Sequence, residues 1–135
     1  MDRKETLKTH GIVIFILLIL QYLLGMFTNL FIQFPQDKHD GQLWEFAWKQ
    51  IPIAAHIIIG ILLLIGALVL VVRSIRQKNK QWIIISSIGA ISILIAGVSG
   101  AIFIPTQTAT YSFVMSLSFI IAFVSYSLGI YRSKS

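Results

Sequence analysis

Four apolar runs dominate the chain, at 11–32, 51–72, 82–104 and 111–131, and none contains Asp, Glu, Lys or Arg. About 20 apolar residues in a helix rising 1.5 Å each cover the hydrocarbon core of a bilayer. Each run therefore predicts a membrane-crossing helix. Pro52 falls near the start of the second, where a missing N–H costs little. Pro105 is expected to end the third. The first run follows Arg3, Lys4 and Lys8 as a signal peptide would. It exceeds the roughly 7–15 residues of a signal core and no A-x-A-like site follows, so it is read as a retained helix.

Polar and small residues inside the runs recur at helical steps. His10, Ile14, Leu18, Gln21, Gly25 and Thr28 share one face of the first helix, with Asn29 at its edge. His56, Gly60, Leu63 and Ala67 share a face of the second. Gly89, Ser92, Ala96, Ser99 and Phe103 form a small-residue seam on the third, and Met115, Ser118, Ala122, Ser125 and Gly129 another on the fourth. Such seams let membrane helices approach closely, with hydroxyls available to bond across them. Short connections favour antiparallel neighbours. The prediction is an all-α, integral membrane four-helix bundle of up-down topology, filling 1–135 as a single domain.

Basic residues orient it. Nine of the eleven Lys and Arg lie before the first run, between the second and third, or after the fourth. The positive-inside rule makes that side, and both termini, cytoplasmic. The external loop, 33–50, carries Phe34, Trp44, Phe46 and Trp48, residues suited to the headgroup region. Within it "QLWEFAWKQ" predicts a short interfacial helix over the mouth of the bundle.

Composition agrees: 12% of residues are charged, against roughly 25% in soluble domains. The net charge of +6 resides in the connections and ends, so it signals topology and headgroup contact rather than nucleic acid. The absence of cysteine excludes disulfides, thiolate metal sites and cysteine nucleophiles. No carboxylate lies in a span, and no hydrolase or phosphate-loop motif is present. The balance leans away from an enzyme.

His56 is the one histidine within a predicted span, and an intramembrane ionisable residue is a functional candidate by default. Counted from the external ends, Thr28, His56, Gly100 and Met115 each lie roughly 6 Å below the membrane edge, with Asn29 close to that level. Thr28, Asn29, His56 and Met115 are thus expected to form a polar layer in the outer leaflet, Thr28 and Asn29 bonding to His56. Gln21 sits deeper and needs a partner of its own. Neutral imidazole ligates haem iron while its second nitrogen is held by an acceptor; the alternative is a structural hydrogen-bond role. His10, at the cytoplasmic edge, is read as snorkelling, and His39 as a solvated loop residue.

"LQYLLG" (20–25), the following "MFT", a Pro-containing connection and "IAAHIIIGILLLIGALVL" (53–70) resemble one helical hairpin of the haem A synthase family. The resemblance implies a helical bundle holding haem b, with His56 as an axial ligand on the external side. The family's second histidine and its glutamate have no counterpart in the third and fourth spans. Met115 is the candidate sixth ligand, and Gln21, Thr28 and Asn29 are candidates to line the cofactor. "LGMFTNLF" (24–31) is also similar to small four-helix bacterial membrane proteins. The expectation is a cytochrome b-like, haem-binding or haem-handling protein of the plasma membrane. Its alternative is a non-enzymatic accessory or assembly subunit of a larger membrane complex, or a homodimer.

Overall fold

The computed structural model describes residues 3–35 and 37–133. Lys134, counted above, lies outside them, as do the side chains of Arg3 and Lys4. The described chain is helical: α1 (Arg3–Phe31), α2 (Asp40–Lys49), α3 (Ile51–Arg76), α4 (Lys80–Thr106) and α5 (Ala109–Arg132). Among the described residues four helices are long and apolar enough to cross a membrane, α1 (from Glu5), α3, α4 and α5.

The helices outrun the apolar runs that predict them. α3 continues to Arg76, so Arg73 sits on helix, and only residues 77–79 connect it to α4. Lys78, at φ 52°, makes that turn, and the Asn79 side chain accepts from Trp82 N (3.1 Å) to cap the next helix. Pro52 stands in the first turn of α3, as predicted. Pro105 does not end α4, which continues to Thr106. A proline in the final turn removes a single helical bond, and Gln107, left-handed at φ 50°, makes the stop. The "QLWEFAWKQ" helix is present as α2.

Each long helix packs against two others in a closed ring, α1–α3–α4–α5–α1, and α2 lies across α3 and α4. Cross-helix approaches run in opposite senses along neighbours. On α1 and α3 they are Gly25 with His56, Gly60 with Gln21, and His10 with Arg73. On α4 and α5 they are Gly100 with Met115 and Gly89 with Tyr126. On α1 and α5 they are Tyr22 with Phe119 and Phe15 with Phe123. Neighbours are therefore antiparallel.

Leu7, Ile14, Leu18, Leu63, Ala67, Leu70, Trp82 and Tyr126 centre the main core. Leu43, Ala47, Ile53 and Ile104 form a second cluster beneath α2. Of the seam hydroxyls expected to be available across helices, Ser125 bonds within its own helix, as Ser74 and Ser86 outside the predicted seams also do. Ser74, Ser86 and Ser125 donate to carbonyls four residues back in their own helices, at 2.7, 2.5 and 2.8 Å. Such back-bonding satisfies a hydroxyl locally.

Candidate functional site

Gln21, Gly25 and Thr28 stand on successive turns of one face of α1, and His56 and Gly60 on one face of α3. The antiparallel pairing brings the two faces together. Gln21 Nε2 donates to the backbone carbonyl of His56 at 2.9 Å. That carbonyl has a second lone pair beyond its helical bond, so it takes the amide without breaking α3. Gly60 makes room: a Cβ there would lie 3.0 Å from Gln21 Nε2. Gly25 does the same for the imidazole, a Cβ there lying 3.1 Å from His56 Cε1. Two glycines thus set a glutamine amide and an imidazole directly against opposing backbone.

Three polar atoms of this seam are sealed from solvent and have no hydrogen-bond partner: His56 Nδ1, Gln21 Oε1 and Thr28 Oγ1. A buried polar group left unpaired is destabilised by about 1–3 kcal/mol. Three in one helix–helix seam call for a shared answer from a bound group, water or a small rotation.

The expected polar layer is realised in part. Thr28 and His56 belong to one seam. Gln21, expected to need a partner elsewhere, takes the carbonyl of His56 itself. Asn29 lies outside the seam, exposed, because one residue of helix turns it 100° from Thr28. Met115 is seated on the α4–α5 seam, its sulfur 3.3 Å from where a Gly100 Cβ would stand. The anticipated level pairing of Met115 with Gly100 is therefore present, but in a different seam from His56.

The other histidines lie elsewhere. His39 precedes the first residue of α2, its backbone N–H reaching Gln42 Oε1 at 3.4 Å. His10 meets Arg73 where α1 and α3 join at the opposite end. Among the described residues no group of three or more His, Cys, Asp or Glu is placed to hold a metal ion.

Tyr126 was not singled out by the sequence pattern. It is fully buried in the α4–α5 seam, and its hydroxyl lacks a partner. A Cβ on Gly89 would fall 2.5 Å from its ring. Its position four residues after Ala122 and three before Gly129 was the available signal. Trp82 is likewise buried, between Gly11 and Gly129, with Nε1 donating to Ser133 Oγ at 3.1 Å. Comparison of the chain with protein-family models, curated proteins and solved structures finds no match.

Proposed function

We propose that the protein is a multi-pass membrane protein that binds haem b through His56, with both chain ends on the cytoplasmic side of a bacterial-type plasma membrane. The observation that carries the reading is the trio of sealed, unpartnered atoms along the α1–α3 seam. An imidazole that ligates iron needs its other nitrogen held by an acceptor, which fixes tautomer and ring orientation. Gln21 Oε1 and Thr28 Oγ1 are acceptors without partners, on the turns of α1 either side of Gly25. His56 Nδ1 is the nitrogen they would hold. The likeness of 20–28 and 53–70 to a haem A synthase hairpin supports the same residue.

The donor set would suit a group held by His56 alone. It does not fit His56 and Met115 as a pair, since the two side chains are seated in different seams. When bound, the haem would supply a redox-active iron. Of the chain's own residues, Gln21 anchors the turn that bears His56, Gly25 lets the ring lie close to α1, and α2 covers one end of α3 and α4. Purified after expression with haem precursor, the protein is expected to give a b-type pyridine haemochrome near one haem per chain. A colourless protein that takes up no added haem overturns the reading.

A second reading, an accessory subunit without cofactor, is favoured by Asn29, a polar side chain that the ring leaves exposed on α1. A neighbouring helix, of a larger complex or a second copy, would answer it. That reading predicts co-purification with a larger assembly in a gentle native extract. A solitary, monodisperse chain would contradict it.

A further inference from the structure

We infer that the junction of His10 and Arg73 binds the headgroup of an anionic phospholipid. The site lies where α1 begins and α3 ends, at the opposite end of the α1–α3 seam from His56. Arg73 Nη1 stands 3.4 Å from His10 Nδ1. Arginine has only donors, so His10 accepts at Nδ1 and carries its proton on Nε2. The backbone carbonyl of Gly66 takes the imidazole N–H, so the pair presents the remaining guanidinium N–H groups and no free acceptor, which is the chemistry that recognises a phosphate oxyanion.

The surroundings have the same sign. Lys8, Arg76, Lys78, Lys80 and Arg132 lie at this end of the bundle, against Glu5 as the acidic side chain among the described residues there. The other end carries Asp37, Asp40 and Glu45 with Lys38 and Lys49. What points to a lipid rather than a soluble phosphate is the apolar surface beneath the pair. Val13 lies one turn inward from His10 on α1, and Val69 one turn inward from Arg73 on α3. They are 50% and 39% exposed. The acyl chains of a lipid held at the junction would run along the exposed apolar surfaces of α1 and α3 that carry these two valines.

Native mass spectrometry in neutral detergent tests the site, with phosphatidylglycerol, phosphatidylcholine and glycerol phosphate as probes. A cation near an anionic surface contributes a preference of about fivefold. The wild-type chain is expected to favour phosphatidylglycerol over phosphatidylcholine by at least about that factor. Arg73→Gln with His10→Gln should bring the ratio near one, while Lys38→Gln, at the other end of the bundle, should leave it unchanged. Where the double variant does not extract as a folded protein, His10→Gln alone should lower the ratio and Arg73→Lys should retain it. Equal binding of the two lipids, or a loss with Lys38→Gln matching that of the double variant, would overturn the site. Displacement of the lipid by glycerol phosphate at equal concentration would show a free-phosphate site and overturn the lipid assignment.

Discussion

The glycines at 25, 60 and 89 matter for the space they leave. Each opposes a side chain from a neighbouring helix, closely enough that a methyl group would press on it. Gly89→Ala places a carbon 2.5 Å from the ring of the fully buried Tyr126. Overpacking of this kind costs about 1–3 kcal/mol, so the variant is expected to unfold at a lower temperature in detergent. Tyr126→Phe has the opposite sign. It removes a buried hydroxyl that has no partner, and should be neutral or stabilise by up to about 1 kcal/mol. A large fall in the unfolding temperature of Tyr126→Phe would mean that the hydroxyl is bonded. The Gln21 face of α1 was legible in the sequence because its polar residues recur at helical steps. Which backbone carbonyl Gln21 would meet was not, since this depends on the vertical offset of α1 against α3. That offset is set by glycine spacing on both helices at once.

At the scale of elements, α2 is the most separable part. Leu43 and Ala47 anchor it on Ile53 and Ile104, while Trp48 stays half exposed. Leu43→Ala should cost about 2 kcal/mol or more and appear as faster hydrogen exchange across residues 40–49, with α1 and α5 unaffected. Unchanged exchange in α2 would mean that its docking rests on other contacts. On its exposed face Lys49 Nζ lies 2.6 Å from Glu45 Oε1. That hydrogen bond, and the ammonium charge behind it, hold the Glu45 carboxyl below its ordinary range. The pair's contribution is therefore present at neutral pH and lost as pH falls through that lowered value. Lys49→Gln should move the Glu45 titration, followed by NMR, back up toward an ordinary carboxylate. α2 was legible because Trp44, Phe46 and Trp48, residues suited to the headgroup region, lie in a connection too long for a turn. It misplaced the end of α4 because proline in a last turn is compatible with helix, and the signal for the stop was the left-handed residue at 107.

At the scale of the molecule, four helices among the described residues are long and apolar enough to cross a bilayer, and the charge asymmetry supports the proposal that both ends lie inside. The lack of cysteine makes this directly testable. Gln42→Cys, on α2, is expected to react with an impermeant thiol reagent added to intact cells, and Lys78→Cys only after permeabilisation. The reverse pattern would invert the proposed topology. Apolar periodicity alone foretold the four long helices and most of their inward faces. It did not foretell that His56 and Met115 occupy different seams. Both residues lie at similar depth, and depth says nothing about which neighbours a helix faces in a closed ring.

The proposed presentation of His56 to haem by the α1–α3 seam is open to test with an exchangeable ligand. His56→Gly removes the imidazole and leaves space for a free one. The reduced b-type absorption of the purified protein is expected to be lost in His56→Gly and to return when imidazole is added. A wild-type spectrum persisting unchanged in His56→Gly would contradict it, and the sealed trio would then be a structural polar layer.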